Sequence, residues 1–285
     1  MKHNKAMLTR LLASAVLLVL AASSAAKELP QLAIIIDDIG YNQALGARSV
    51  QLPGPYTLAI LPFTPHAQSL AQQAADNGKE LMLHVPMSNI NNNALGPGAL
   101  TNDMPFKDFS QTLRQAIDSI PSIVGVNNHM GSQLTQQARP MGWLMTELSR
   151  QNLYFIDSRT SADSLAWDMA GYHGVPTRKR DVFLDHQRDT DKIQAELTRA
   201  IALAKVQGSA VAIGHPFPET LAVLEAVGSH WQALGVELVA ASALLQQIVS
   251  GAGHCPAPPP LLRQNASPAT ADYAETTFSK LRIIK

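Results

Sequence analysis

Short apolar, β-branched segments alternate with longer amphipathic segments along most of this 285-residue chain, and this alternation restricts the possible folds more than any other feature. Short continuous apolar runs are typical of buried strands, whereas apolar residues three or four positions apart mark one face of a helix. The segments predicted to be strands are residues 32–37, 56–61, 80–85, 123–127, 153–157, 181–184, 210–213 and 236–240.

Three amphipathic segments between these strands are predicted to be helices. Their apolar faces consist of Phe109, Leu113, Ile117 and Ile120, of Ile193, Leu197, Ile201 and Ala204, and, more loosely, of Leu221, Leu224, Trp231 and Leu234. Asp189 or Thr190 is a candidate N-terminal cap of the second helix. Gly208 and Gly235 are predicted to end helices before the next strand begins.

Repeated strand–helix alternation predicts an α/β fold with a parallel sheet. The simplest arrangement is a single, closed or nearly closed (β/α) barrel of seven or eight parallel strands, and an open doubly wound sheet is the alternative. No glycine-rich nucleotide-binding pattern is present, so no nucleotide is indicated. With 22 basic and 22 acidic residues, the chain gives no electrostatic reason to expect nucleic acid or an anionic membrane surface as a partner.

The two ends of the chain differ from its middle. Basic residues from Lys2 to Arg10, an apolar run at 11–22 and small residues before Lys27 predict a secretory signal peptide at 1–26, with an uncleaved anchor as the alternative. Cleavage makes the mature protein exported and periplasmic, without a stable membrane anchor. Residues 27–250 are the predicted barrel domain, and residues 251–285, rich in Pro and Ala, are predicted to form a flexible tail. Cys255 is the single cysteine, so no intrachain disulfide is expected.

Polar residues collect where the predicted strands end. The first strand ends in Asp37 and Asp38, and adjacent carboxylates at the end of a buried strand are costly to bury without a cation or a proton between them. The other strand ends carry His84, His129, Asp157 with Arg159, Asp185 with His186, and His215. In a β/α barrel these ends meet at one rim, where active sites lie. The irregular region 88–105 is predicted to be a long loop over that rim.

These residue types suit metal-assisted hydrolysis. Two imidazoles and one carboxylate are a common catalytic zinc set, and the metal polarises a carbonyl and lowers the pKa of water. A second carboxylate can accept the proton of the water, and another histidine can protonate the leaving group. Structural roles remain open: Asp37 or Asp38 as a helix cap, His84 as a core histidine, and Arg159 as the partner of Asp157.

Taken together, the motifs resemble those of the divergent polysaccharide deacetylases, a branch of the carbohydrate esterases with the NodB-type β/α barrel. The resemblance covers about residues 32–250. Residues 36–38 match the first family motif, residues 78–84 lie where the family carries its first metal-binding histidine, and residues 211–215 resemble the last motif. Residues 127–132 and 157–160 look like signatures of the divergent branch itself.

The resemblance implies a role for six residues at the rim. The implied metal ligands are Asp38, His84 and His129, and the implied ion is a divalent metal, most simply Zn²⁺. Asp37 is implied as the base, His215 as the general acid, and Arg159 as the side chain that orients Asp37.

The family motif has a second histidine four residues after the first, and this chain has Ser88 at that position. His129, from the next strand, is therefore the expected substitute. The implied function is removal of acetyl groups from a cell-envelope glycan by metal-activated water. Two alternatives stay open: a glycan-binding or envelope-assembly protein without turnover on the same barrel, and a metal-dependent esterase or phosphoesterase acting on a non-sugar substrate.

Overall fold

The computed structural model describes residues 28–245. The predicted signal peptide, the predicted tail with Cys255 and the outermost residues of the predicted domain lie outside the described residues. The nine described strands are β1 Gln31–Ile39, β2 Thr57–Ile60, β3 Glu80–Met87, β4 Gly125–Met130, β5 Tyr154–Asp157, β6 Thr177–Lys179, β7 Val182–Phe183, β8 Ser209–Gly214 and β9 Glu237–Val239. All eight predicted strands overlap one of them.

The strands form one parallel sheet in the order β6-β5-β4-β3-β2-β1-β8-β7, with β9 paired to β1 off this path. This path is the circular order one to eight, cut between β6 and β7. Those two strands are consecutive in the chain, and the link between them stays tied to the sheet, because Arg180 N–H donates to Asp157 O and Asp181 N–H donates to Val211 O, both at 2.9 Å. The sheet is therefore a nearly closed β/α barrel, as predicted, and not an open doubly wound sheet.

Seven helices of the described chain surround the barrel: α1 Gln43–Gln51, α2 Ala67–Asp76, α3 Phe106–Ser119, α4 Ala138–Arg150, α5 Ala166–Tyr172, α6 Thr190–Gln207 and α7 Pro218–Val227. Short 3₁₀ turns lie at Leu134–Gln136 and Ala241–Leu244. Asp189 caps α6, since its side chain accepts from Lys192 N–H at 3.0 Å, and Gly208 ends that helix with a φ of 84°. Among the described residues, no helix combines the length and the apolar composition that crossing a bilayer requires.

The predicted third helix is shorter than its apolar pattern. Helix α7 ends at Val227, and Gly228, with a φ of 56°, follows it. Trp231 and Leu234 therefore lie in the turns that lead to β9, where Trp231 is buried against Tyr56. Of these two residues only Trp231 faces the core that α7 also covers, whereas Leu234 is exposed.

Strand β6 is the one described strand that the sequence did not predict. It has only three residues, and Arg178 and Lys179 are charged, so no apolar period marks it. Its pairing with β5 places it in the sheet, where tertiary contacts outweigh its weak local preference.

The alternation of side chains along β1 separates two cores. Leu32, Ile34 and Ile36 point outward and pack in the large core beneath the helices. Ala33 and Ile35 point inward and pack with apolar residues of the other strands in the barrel interior. Residues two positions further along the same inward rows lie at the carboxyl ends of the strands, where the site is found.

Candidate active site

Because side chains alternate along each strand, the polar residues at the strand ends point into the barrel interior. On β3 the inward residue after Met82 is His84, and on β8 the inward residue after Ile213 is His215. These side chains form a polar layer directly above the apolar interior, at the carboxyl ends of the strands. This is the position of active sites in β/α barrels.

Asp37 and Asp38 both face the site because β1 bulges there. In a regular strand, adjacent side chains point to opposite faces. The pairing of β1 with β2 shifts register between Ile36 and Ile39, and Asp38 has a left-handed backbone with a φ of 57°. Such a bulge re-aims a side chain. As a result, Asp38 Oδ1 and Asp37 Oδ2 lie 3.1 and 3.6 Å from the same His84 Nε2.

Asp38, His84 and His129 form the one group of potential metal ligands found among the described residues, with one donor atom from each within 4.8 Å of the others. Asp38 Oδ1 lies 2.8 Å from His129 Nδ1 and 3.1 Å from His84 Nε2, yet this buried oxygen accepts no well-aligned hydrogen bond. Three potential metal-donor atoms thus converge on one point. Two imidazole nitrogens and a carboxylate oxygen fit a divalent cation such as Zn²⁺.

The charges in this group are strongly coupled. Burial would raise the pKa of Asp38, but its contacts with His129 and His84 hold that pKa well below its usual range. Burial lowers the pKa of His84, but the charges of Asp37 and Asp38 outweigh this effect and raise it. A proton and a cation therefore compete for the nitrogen of His84 that faces Asp38.

Asn127, fully buried on β4, holds both His84 and Asp37. Its Oδ1 lies 2.6 Å from His84 Nδ1, and its Nδ2 donates to Asp37 Oδ1 at 2.7 Å. An amide oxygen only accepts, so the proton of a neutral His84 lies on Nδ1 and the lone pair on Nε2 is directed at Asp38. Asn127 therefore fixes a ligand and the neighbouring carboxylate with one side chain.

Asp185 holds His215 in an equally defined orientation. Asp185 Oδ1 lies 2.9 Å from His215 Nδ1, and Asp185 Oδ2 accepts from His215 N–H at 2.6 Å and from Thr220 Oγ1 at 2.7 Å. The free His215 Nε2 lies 3.8 Å from Asp38 Oδ2. Burial lowers the pKa of His215, but the hydrogen bond and charge of Asp185 and the charges of Asp38 and Asp37 raise it to about 9. His215 is therefore protonated at neutral pH and can donate a proton at the site.

Asp37 is suited to accept a proton instead of donating one. Burial raises its pKa above the usual range, and the positive charges of His84 and His215 offset part of this rise. A buried carboxylate with a raised pKa is a suitable proton acceptor near neutral pH. The site therefore combines an acceptor, a donor and a metal-ligand group within a few ångströms.

Arg159 does not occupy the position that the resemblance implied. The inward row of β5 contains Ile156, so Asp157 points outward, and Arg159 lies beside it. The Arg159 N–H donates to Asp157 Oδ1 at 2.8 Å, and no side-chain contact between Arg159 and Asp37 exists in the described part of the chain. The contact that orients Asp37 comes from Asn127 instead.

Ser88 likewise lies outside the ligand group. Its Oγ donates to Asn102 Oδ1 at 2.7 Å, in the loop that follows β3. His129 on β4 supplies the third donor atom in its place, because β3 and β4 are neighbours and Pro86 pairs with His129.

Three residues with defined roles were not assigned by sequence reasoning: Asn127, Asp185 and Arg180. Asn127 and Asp185 stand at predicted strand ends, which was the available signal, but their partners lie on other strands. Arg180 lies on the unpredicted link between β6 and β7. Its guanidinium donates to Ser158 O at 2.6 Å and to Arg159 O at 3.0 Å. Burial lowers the pKa of Arg180, and the negative charge of Asp37 offsets part of this effect.

Comparisons with known proteins identify the family of this chain and support its fold. Residues 34–245 match the family described as divergent polysaccharide deacetylase. The uncharacterized Escherichia coli K12 protein YibQ is 37% identical over 217 residues, 76% of this chain and 68% of that protein. An uncharacterized Haemophilus influenzae protein is 36% identical over 196 residues, 69% and 70% of the two chains. The crystal structure of an uncharacterized Agrobacterium tumefaciens C58 protein has a TM-score of 0.74 at 24% identity, over 77% of this chain and 91% of that one, which supports the fold.

Proposed function

The chain belongs to the divergent polysaccharide deacetylase family, and from this premise we propose that it is a metal-dependent hydrolase that removes acetyl groups from a glycan. The observation that carries the proposal is the meeting of three metal-donor atoms with two groups suited to proton transfer. The donor atoms belong to Asp38, His84 and His129, and the neighbouring carboxylate and imidazolium belong to Asp37 and His215.

Zn²⁺ is the ion that the donor set favours. Catalytic zinc commonly has three protein ligands drawn from histidine and carboxylate, with a further position left open. The buried Asp38 Oδ1, which lacks an aligned hydrogen bond, would gain a partner in such an ion. A bound divalent ion would supply a Lewis acid and lower the pKa of water in the site.

Asp37 and His215 supply the two proton transfers that hydrolysis requires. Water adds to the acetyl carbonyl carbon, and Asp37, held by Asn127, accepts one of its protons. The bond between that carbon and the sugar nitrogen or oxygen then breaks, and His215 Nε2 gives its proton to the leaving atom. The products are acetic acid, which ionises to acetate in solution, and a free amine or hydroxyl. Asp37 then carries a proton taken from the water and His215 has given one to the leaving atom, and exchange with water restores both.

The sequence pattern of the first 26 residues supports an exported, periplasmic enzyme, for which a cell-envelope glycan is the accessible substrate class. Fractionation of cells followed by mass spectrometry of the mature N-terminus tests this. Recovery from the periplasm with Lys27 as the first residue is the expected result, and retention of residues 1–26 would contradict it.

Metal analysis tests the mechanism most directly. Protein stripped with a chelator and reloaded with Zn²⁺ is expected to hold one ion per chain and to release acetate from oligomers of N-acetylglucosamine. His129→Ala should lose the ion, whereas His230→Ala, which removes an exposed histidine on the outer surface, should keep it.

The outcomes separate the proposed function from its rival. The absence of stoichiometric metal in the wild-type protein would overturn the mechanism. Stoichiometric metal without acetate release from any acetylated glycan would instead favour a glycan-binding protein on the same barrel.

A further inference from the structure

We propose that the loop 88–105 forms a binding subsite for an uncharged, hydroxyl-rich sugar residue next to the acetyl group that is removed. The inference rests on the proposed function, because it names the part of the glycan that the chain recognises. The loop lines an open cavity of about 410 Å³. Ligand sites commonly have volumes in this range.

The cavity lies beside the candidate active site. Strand β3 carries His84 and continues into Ser88, which lines the cavity. Strand β4 carries His129 and leads to Gln133, another lining residue, whose N–H donates to Ser88 O at 3.1 Å. The two strands that carry His84 and His129 therefore lead directly into segments that form one wall of the cavity.

The lining has the chemistry of a neutral sugar site. It contains two hydroxyls, one carboxylate, one leucine and the side-chain amides of Asn89, Asn92, Asn93, Asn102 and Gln133. Each amide can donate and accept hydrogen bonds, as a sugar hydroxyl or an acetamido group does. The lining includes no cationic residue, and Asp103, the one carboxylate, is exposed and bonded to Thr101. This lining disfavours an acidic sugar.

The cavity is preformed, because Asn89 braces the loop from within. Its buried side chain accepts from Asn91 N–H at 3.1 Å and Asn93 N–H at 3.0 Å, and donates to Asn93 O at 3.1 Å. The side chains of Asn92, Asn93 and Gln133 form no hydrogen bond within the described chain, so they are available to a ligand. A braced loop with free amides binds with little loss of conformational freedom.

Two exposed aromatic residues support the loop on the side of β1 and β2. Tyr41 is 55% exposed and Phe63 is 48% exposed, and Phe63 holds a φ of 57°, which is unusual for a bulky residue. A Cβ at Gly96 would lie 3.1 Å from the Tyr41 hydroxyl, and one at Gly98 would lie 2.9 Å from the Phe63 ring. The loop therefore reaches from the amide-lined cavity to the strands that lie next to the catalytic carboxylates.

Calorimetric titration of the Zn²⁺-loaded protein tests the subsite. All variants carry Asp37→Asn so that the sugar is not turned over, and the probe is the β-1,4-linked tetramer of N-acetylglucosamine. The double substitution Asn93→Ala with Gln133→Ala should raise the Kd about tenfold, as expected for two lost neutral hydrogen bonds. Gln194→Ala, which removes an exposed amide on α6, should leave the Kd unchanged. Tetragalacturonic acid, an acidic oligomer of the same length, should bind at least about tenfold more weakly than the neutral tetramer.

The outcomes distinguish the failure of the subsite from the failure of the proposed deacetylase function. An unchanged Kd in the double variant, equal or tighter binding of the acidic oligomer, or no binding of the tetramer would overturn the subsite. If the Kd rises as expected while the protein with Asp37 intact releases no acetate, the subsite stands and the deacetylase function fails. Acetate release together with an unchanged Kd would give the reverse result.

Discussion

The barrel interior holds two polar clusters, one at each end, and their contacts differ in kind. At the amino end, Glu80 Oε1 accepts hydrogen bonds from Thr57 Oγ1 at 2.9 Å, from Tyr154 Oη at 2.8 Å and from Ser242 N–H at 3.2 Å. At the carboxyl end, the buried Asp38 Oδ1 lies near two imidazole nitrogens but accepts no well-aligned hydrogen bond. The first cluster is complete within the chain, whereas the second would be completed by the proposed metal ion.

This difference separates a structural role from a functional one. Buried polar groups in folded proteins are almost always hydrogen-bonded, so a buried carboxylate oxygen that lies close to two imidazole nitrogens without a well-aligned hydrogen bond needs an explanation. Glu80 and His84 lie four residues apart on β3 and face the same interior. The turn at Ala241–Leu244 packs against one end of the barrel, and the strand ends at the other end carry the site.

The largest expected effect comes from a substitution in the polar cluster at the carboxyl end of the barrel. Asp37→Asn should lower kcat for acetate release about a thousandfold, since general-base catalysis contributes about 10² to 10⁴. Bound zinc should remain at one ion per chain, because the donor atoms belong to other residues. Asp191→Asn, an exposed carboxylate on α6, serves as the control. A kcat within tenfold of the wild type would remove Asp37 from the mechanism.

A smaller loss is expected when the orientation of the proton donor is disturbed. Asp185→Asn should lower kcat about 10- to 100-fold with little change in KM, as is usual when a residue that holds a functional histidine is altered. ¹⁵N NMR of the imidazole should show a lower proton occupancy of His215 at neutral pH, because the hydrogen bond and charge that raise its pKa are weakened. An unchanged spectrum alongside a lower kcat would assign Asp185 to folding alone.

A substitution in the polar cluster at the amino end, around Glu80, should lower stability and leave kcat almost unchanged. Tyr154→Phe removes one hydrogen bond to Glu80, so the free energy of unfolding should fall by about 1 to 2 kcal/mol while kcat stays within twofold. Tyr41→Phe makes the same chemical change at an exposed position and should alter stability by less than about 0.5 kcal/mol. Chemical denaturation measures both. A large loss of kcat in Tyr154→Phe would mean that the two ends of the barrel are coupled.

The smallest expected effect is a dependence on alkaline pH. Burial raises the pKa of Tyr154 well above its ordinary value of 10.0, and the charge and hydrogen bond of Glu80 add to that rise. Above pH 10 the unfolded chain loses this proton while the folded chain keeps it, so stability should decline as pH increases. The decline should be shallower in Tyr154→Phe. Equal slopes in the two proteins would show that other groups cause it.

Much of the architecture could be predicted from the sequence, because the apolar periods that make strands and helices are local. The eight predicted strands all lie in the sheet, and Asp189 and Gly208 bound α6 as expected. Strand β6 could not be predicted, since its three residues show no apolar period and only its pairing with β5 makes it a strand. The end of α7 was misjudged because apolar residues in the turns beyond Gly228 continued the helical spacing, although they lie outside the helix.

The candidate site, too, could be predicted only in part. The sequence predicted Asp37, Asp38, His84, His129 and His215 as site residues because each stands where a predicted strand ends, and the structure brings these side chains together. It could not identify which side chains hold them. Asn127 orients Asp37, and Asp185 orients His215, through contacts between residues 90 and 30 positions apart.

The sequence alone determined that this chain alternates strands and helices, and that acids and histidines stand at the carboxyl ends of its strands. Both are local properties, set by apolar spacing and by residue type. Only the tertiary structure decided that Asp37 and Asp38 face the same site, because a shift in the pairing of β1 with β2 and a left-handed backbone at Asp38 are required for it. Closure of the sheet likewise decided which strand ends meet, since donor atoms from distant segments converge only when the barrel is formed.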